Sequence, residues 1–309
     1  MACGILVLAY DELYIEGHNE RLYAMRKERR DGVRIDGLDG YHNILPYIMP
    51  RRTEAEVSMT ETFDVTELLQ YMKERNEKEG LNLKFFHAFC TAVARTIYLR
   101  PKMNIFISGR KFWQRKYVSL SFVVKQAFKD DGEETLMFLY VKPDMNLDSI
   151  SKMILGDVDK VRTEHTNDLD KLMTFVGSLP RWFLEFFFWV LRKLEYHGAM
   201  PKGLTAGDPN YSTALLSNLG SIKAGAPYHH LSEYGTCSIM ITIGTIHKEN
   251  YIKDDGSVGQ RDMLEATFTI DERIADGFYY AKSLRITKYI LEHPECLTET
   301  VETPVPVEL

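Results

Sequence analysis

Hydrophobic and polar positions along this chain switch repeatedly between a period of two and a period near 3.6. Glu56 to Asp64 alternates, with Val57, Met59 and, less cleanly, Phe63 on one side and Ser58, Thr60 and Thr62 on the other, which predicts a strand. Asp64 and Thr66 then offer caps for a helix carrying Leu68, Leu69 and Met72. From Phe85 to Tyr98 the apolar residues Phe86, Phe89, Cys90, Val93 and Ile97 recur at spacings of three and four, the mark of a helix face, and Pro101 follows its end. Tyr117–Gln126 and Thr135–Val141 are rich in β-branched and aromatic residues and predict two strands around the turn-like Asp130-Asp131-Gly132. Asn146–Thr166 reads as a helix. Tyr211–Leu216, Gly235–Ile246 and Glu265–Ile270 read as three further strands, with Gly256 marking a hairpin-like turn between the last two. Within them Cys237 to Ile243 is apolar or β-branched almost throughout, as in a strand covered on both faces. Asp276–His293 predicts a helix, with Phe278, Ala281, Leu284, Ile290 and Leu291 mostly toward the core and Pro294 at its end. Strands interspersed with helices in irregular order point to a two-layer α/β sandwich.

Three stretches stand apart from this pattern. Residues 1–44 are dense in charge and read as an N-terminal extension, with regular structure expected from about Tyr47. Its basic run, Arg26-Lys27-Glu28-Arg29-Arg30, suits a solvated helix face or a partner-binding patch. Residues 45–296 form the expected domain, and residues 297–309 a flexible tail. The third stretch, Leu179 to Leu194, is the most apolar: between Arg181 and Arg192 only Glu185 is charged. It is too short to cross roughly 30 Å of hydrocarbon. Burial in the fold or at a subunit contact, and contact with a bilayer surface or a long acyl chain, are the readings considered. An exposed helix is disfavoured because such a patch invites aggregation.

Composition narrows the function. The 309 residues carry a formal charge of −6, without the basic domain of a nucleic-acid binder. Seventeen Tyr, 16 Phe and 3 Trp exclude a disordered chain. Cys3, Cys90, Cys237 and Cys296 are scattered, with no C-x-x-C pair, which fits reduced thiols in a cytoplasm better than a disulfide framework or a zinc site. The run Gly4–Ala9 lacks a preceding basic residue and ends at Tyr10-Asp11-Glu12, so no signal peptide is expected. No phosphate-binding glycine loop occurs.

Four segments, taken in order, resemble one family: Thr62–Leu69; the Phe85–Tyr98 helix with Pro101 and Asn104; Leu216-Ser-Asn-Leu-Gly220; and Thr269-Ile-Asp-Glu-Arg-Ile-Ala-Asp-Gly277 followed by a helix. Their order and spacing are similar to the chloramphenicol acetyltransferase fold, shared with the acyltransferase core of the 2-oxoacid dehydrogenase complexes. The resemblance covers roughly residues 45–296 and implies a two-layer sandwich with a mixed sheet and covering helices. It further implies a homotrimer with each site in a tunnel between subunits. There a coenzyme A or lipoamide thioester would meet a small-molecule acyl acceptor, with no metal. In such a site the histidine opening an H-x-x-x-D-G motif deprotonates the nucleophile and a serine donates to the oxyanion. Carried over, Asp276 and Gly277 match the D-G, Arg273 the basic residue after the histidine, and Ser217 the oxyanion serine, with Asn218 beside it. Arg51 or Arg52 would be the partner of Asp276.

The position of the histidine is occupied by Glu272. A base works best with a pKa near operating pH, and glutamate starts near 4.3 where histidine starts near 6.5. Burial in a tunnel would raise it and nearby cations would lower it again. Two readings therefore stand: an acyltransferase using Glu272 or another base, and a catalytically reduced or inactive relative, a pseudoenzyme, that binds or assembles on the same trimeric scaffold. No lipoyl or subunit-binding domain is recognised before residue 45, which argues against membership of a dehydrogenase complex. His229-His230 on a loop reads as an ordinary hydrogen-bonded pair or as substrate-binding residues or a replacement base. His87 on an apolar helix face reads as a satisfied core residue, and Cys237 as a poor nucleophile. Ser-Asn-Leu-Gly is itself a natural strand-end turn, so Ser217 carries a turn-only reading beside the oxyanion one.

Overall fold

The computed structural model describes residues 27–125, 134–164 and 176–307. Cys3, the Gly4–Ala9 run and the Asp130-Asp131-Gly132 turn fall outside those residues. Among the described residues the main sheet has seven strands: β2 (Glu56–Asp64), β5 (Val118–Lys125), β6 (Glu134–Val141), β7 (Ala214–Asn218), β8 (Ile239–Ile243), β9 (His247–Ile252) and β10 (Val258–Asp271). Their order is β2-β10-β8-β7-β5-β6, with β9 also on β10. The pairs β5/β7 and β7/β8 are parallel and the others antiparallel, so the sheet is mixed.

One face of this sheet is apolar. Leu120 and Phe122, Ala214 and Leu216, Ile239, Ile241 and Ile243, and Leu264, Ala266, Phe268 and Ile270 all point to it and are buried. Four helices supply residues to the same core: α2 (Thr66–Glu79), α3 (Phe85–Leu99), α4 (Leu147–Glu164) and α7 (Gly277–Glu292). Phe63 fills the joint, edge-on to Phe89 of α3 and Phe268 of β10 at 6.3 Å from each. The starts of two helices follow their sequence signals. Asp64 accepts from the Thr66 amide at 3.0 Å, and Asp276 accepts from the Tyr279 amide at 2.7 Å to cap α7. The two-layer sandwich expected from the pattern is the architecture observed.

Several elements depart from the sequence reading. Regular structure begins before Tyr47, with β1 (Gly32–Arg34) and α1 (Gly40–Ile48). β1 joins a small antiparallel sheet with β4 (Lys111–Arg115) and β3 (Ile105–Ser108). The β3–β4 hairpin turns on Gly109 and Arg110, with φ of 60° and 59°. A two-residue turn of this hand needs positive φ at both positions, for which Asn-Gly is the usual signal and Gly-Arg is not. β9 is exposed at every position, so it carries no hydrophobic period to read. The turn at Gly256 therefore links β9 to a β10 that starts at Val258, seven residues before the expected strand.

Within the basic run Arg26 lies outside the described residues, Glu28 and Arg30 are exposed as a solvated face requires, and Arg29 turns inward. Arg29 is buried over the rings of Phe106 and Trp113, and its guanidinium meets Asp31 at 2.9 Å and Glu195 at 3.1 Å. Arg30 bonds to the Met200 carbonyl and the Thr205 hydroxyl. The C-terminal segment is not loose. Leu297 and Val301 are fully buried, and the Val301 amide donates to the Met145 carbonyl at 2.8 Å. Arg95 of α3 reaches the carbonyls of Cys296, Thr303 and Pro304 and the Glu299 carboxylate. One buried guanidinium thus gathers a segment whose own sequence has little reason to fold.

The apolar stretch near residue 185 forms α5 (Arg181–Tyr196), followed by the single turn α6 (Lys202–Thr205). On the single chain α5 is largely open: Leu191 is its buried residue, while Trp182, Phe186, Phe188, Trp189 and Tyr196 are exposed, so of the readings considered burial within the chain's own fold does not hold.

Candidate functional site

The sheet face away from the helices is lined with hydroxyls. Strand alternation puts Ser119 and Ser121 (β5), Thr213 just before β7, Ser217 (β7), Thr242 (β8) and Thr267 and Thr269 (β10) on that side. Each hydroxyl needs a partner to be buried. Ser58 and Thr269 meet at 2.8 Å, Thr242 donates to the Pro227 carbonyl at 2.6 Å, and Thr267 to the Ala226 carbonyl at 3.0 Å. The loop from Ala224 to Gly235 therefore crosses this face and closes it.

His229 and His230 ride on that loop. Both are exposed, their rings stack at 4.8 Å, and His229 Nδ1 lies 2.9 Å from the His230 carbonyl oxygen. The loop is tied down on either side of them: Thr60 Oγ1 donates to Tyr228 Oη at 3.3 Å, and the Leu231 amide donates to Glu56 at 2.9 Å. Among the described residues no three His, Cys, Asp or Glu side chains converge as a metal site would require.

The turn from Asp271 to Gly277 is held from several sides. The Asp271 amide donates to the Ser238 carbonyl at 3.0 Å and the Glu272 amide to the Ala55 carbonyl at 2.8 Å. Tyr280 Oη donates to the Asp271 carbonyl at 2.9 Å, and burial holds that phenol well above the usual tyrosine range. Arg273 points inward, with Nε and Nη2 on the two Asp271 oxygens at 2.8 and 2.7 Å and Nη1 on the Met49 carbonyl at 2.7 Å. With its neighbours turned in and its own amide fixed, Glu272 projects outward and is exposed on the single chain. Asp271 is the site residue that the sequence reading missed; the acid–x–base spacing to Arg273 was its signal.

Neither Arg51 nor Arg52 meets Asp276. Arg51 pairs with Glu54. Arg52 is buried and donates to the Ser232 and Gly235 carbonyls, each at 2.7 Å. Asp276 is engaged in capping α7 through the Tyr279 amide, and the arginine–carboxylate pair of this turn is Arg273–Asp271. Arg52 and Arg273 both line a cleft of about 320 Å³ that also borders Arg110, Arg192, Glu195 and Tyr234.

Ser217 is the penultimate residue of β7, half-buried, opposite Thr242. Asn218 follows, half-buried as well, and the chain turns away through Leu219–Ile222. That turn packs so closely on the β8–β9 connection that a Cβ on Gly220 would lie 2.3 Å from the Gly244 carbonyl oxygen. Ser217 and Glu272 are not brought together within one chain. The row of Ser217 runs through Thr242 to Thr267 on β10. From there Glu272 is five residues further on, about 17 Å of extended chain. Two strand spacings add about 10 Å sideways, giving a separation of about 20 Å.

A sequence model of the catalytic domain of the 2-oxoacid dehydrogenases acyltransferase family matches residues 197–298, the segment that carries Ser217, Glu272 and Asp276. The lipoamide acyltransferase component of the branched-chain alpha-keto acid dehydrogenase complex of Bacillus subtilis is 26% identical over 251 residues, 78% of this chain and 48% of that protein. The chain thus spans about half the length of the curated relative it matches. A probable dihydrolipoamide acetyltransferase from Listeria monocytogenes superposes with a TM-score of 0.55 at 17% identity, covering 90% of this chain and 99% of that one. The cubic core of a pyruvate dehydrogenase multienzyme complex superposes with a TM-score of 0.56 at 15% identity, covering 85% and 94%. The resemblance read from four sequence segments is borne out, and the fold is that of these acyltransferase cores.

Proposed function

We propose that this chain is an acyltransferase whose site assembles between copies of itself, Glu272 of one copy facing Ser217 of the next. The acyl group moves from a coenzyme A or lipoamide thioester to a hydroxyl, amine or thiol on a small-molecule acceptor. The observation that carries the reading is the Asp271–Gly277 turn. It fixes an outward carboxylate at one end of the sheet while Ser217 stands about 20 Å away at the other end of the same chain. Two groups held rigidly at opposite ends of one subunit suit a closed ring, in which each copy supplies half of every site. The trimer implied by the family resemblance is such a ring.

In this site Glu272 takes the proton from the acceptor as its heteroatom attacks the thioester carbonyl. The carbonyl oxygen becomes the tetrahedral oxyanion and accepts from Ser217 Oγ. Collapse breaks the carbon–sulfur bond, and the departing thiolate recovers the proton from Glu272. Arg273 does not oppose this directly, because its guanidinium is committed to Asp271. His229 and His230 lie on the loop that crosses the hydroxyl-lined face and, with Asn218 at the end of β7, are the proposed acceptor contacts.

The reading is tested by release of free thiol over a panel of acyl donors and acceptors. Turnover by the wild type that falls in Glu272→Gln supports it, and Ser217→Ala then costs about 100–1000-fold. A wild type without turnover that gains it in Glu272→His establishes the second reading instead, a binding or assembly protein on the same scaffold. The exposure of a carboxylate, in place of a histidine, at the base position is the observation that favours that reading.

A further inference from the structure

We infer that α5 is an interfacial helix that seats this protein on an anionic membrane surface. The inference is independent of the acyl-transfer reading and rests on how α5 divides its apolar residues. At 100° per residue, Leu184, Phe187, Leu191 and Leu194 share an arc of about 80°. On that arc Phe187, Leu191 and Leu194 pack on a small satellite core with Met200, Leu204, Tyr211 and Tyr234. Glu195 anchors the end of the helix through Arg29 at 3.1 Å and Ser108 at 2.8 Å. On the opposite side Trp182, Phe186 and Trp189 share an arc of about 60° at the spacing i, i+4, i+7. They are 71%, 57% and 53% exposed. Phe186 and Trp189 stack at 6.1 Å, and Trp182 lies about one turn earlier on the same arc. The protein covers one flank of a helix that is apolar on both.

Charge identifies what covers the other flank. Arg181, Arg192 and Lys193 are exposed around the aromatics, against Glu185 alone, because Glu195 is engaged by Arg29. Lys193 Nζ lies 5.9 Å from the Trp189 ring. This is a basic island on a chain of charge −6. Tryptophan and phenylalanine framed by lysine and arginine are the side chains that settle at the boundary between anionic headgroups and acyl chains. A second copy docking patch to patch would set the cations of one α5 against those of the other, and a contact with a different surface of a second copy is the outcome that sedimentation without vesicles reads. At 16 residues the helix is about 24 Å long, so it lies on a bilayer rather than crossing it. None of the described helices is long and apolar enough to cross.

The test is co-sedimentation of the full chain with vesicles of phosphatidylcholine alone and of phosphatidylcholine with about one-third phosphatidylglycerol. Trp113, the third tryptophan, is buried, so a blue shift of emission on binding reports Trp182 and Trp189. We expect binding to the anionic vesicles with a blue shift, weakened by salt. It should drop about tenfold or more in Trp182→Ala/Trp189→Ala and in Arg192→Glu/Lys193→Glu. These side chains are exposed, and circular dichroism confirms that the variants fold. No binding by the wild type, equal binding to both vesicle types, or undiminished binding by either variant overturns the inference. So does a smaller assembly of the Trp182→Ala/Trp189→Ala chain in sedimentation without vesicles, which would make the patch a subunit contact.

Discussion

Asp271 and Arg273 form a bidentate ion pair inside the turn that presents Glu272, with side chains 0% and 3% exposed. Breaking one member of such a pair strands the other charge without solvent, a loss of about 3–5 kcal/mol. Arg273→Met should lower the unfolding free energy by that amount in urea titrations. Asp271→Asn combined with Arg273→Met should cost less than the two single changes added together, because no charge is then left alone. Additive losses would show that the two side chains do not act as a pair.

Arg95 is the fastener of the C-terminal segment. Its side chain is 1% exposed, while that of its carboxylate partner Glu299 is 50% exposed. Arg95→Leu should release residues 299–307, seen as new protease cleavage there and faster amide exchange at Val301. Glu299→Gln should change stability by less than about 1 kcal/mol, since a half-exposed pair contributes little and the carbonyl contacts of Arg95 remain.

His87 gives folding a pH dependence. Its Nδ1 accepts from the Lys84 amide at 3.2 Å and the Ser151 hydroxyl at 2.7 Å, which holds the ring neutral. Burial pushes its pKa from 6.5 down to about 4. A group with a depressed basic pKa is protonated more readily in the unfolded chain, so stability is full above pH 6.5 and drains away as pH falls toward 4. The loss attributable to this ring is on the order of 3 kcal/mol. Denaturation midpoints followed between pH 7 and 4 should flatten in His87→Gln, and a slope unchanged by the substitution would assign the effect to other groups.

Gly220→Ala tests the packing behind Ser217. The new methyl would meet the backbone of Gly244, which has no flexible end to move. A loss of about 1–3 kcal/mol is expected, with altered chemical shifts around Ser217 and Asn218. Gly225→Ala, where a Cβ meets nothing within 4 Å, is the control and should be close to neutral.

Much of the main sheet and its covering helices were legible in the sequence, because their apolar residues recur at strand or helix spacing, or run on without a break in β8, which is covered on both faces. What escaped had no such period. β9 is exposed throughout, and the β3–β4 hairpin turns on an atypical Gly-Arg pair. Arg29 read as surface charge and Arg95 drew no reading from the sequence, because Glu195 and the C-terminal carbonyls that engage them lie far away along the chain. In the candidate site the D-G turn and the Ser-Asn-Leu-Gly turn were visible as motifs. The partner of Arg273 was not, since a structural aspartate was sought at residue 276 with an arginine near residue 51. The buried pair instead closes over two residues within the same turn.

The distance between Ser217 and Glu272 along one sheet also has a genetic meaning. On the proposed reading, a chain bearing Ser217→Ala still contributes a sound carboxylate to its neighbour, and a chain bearing Glu272→Gln still contributes a sound hydroxyl. Two alleles, each silent by itself, would then restore part of the turnover when expressed in one cell, while the doubly altered chain would rescue neither.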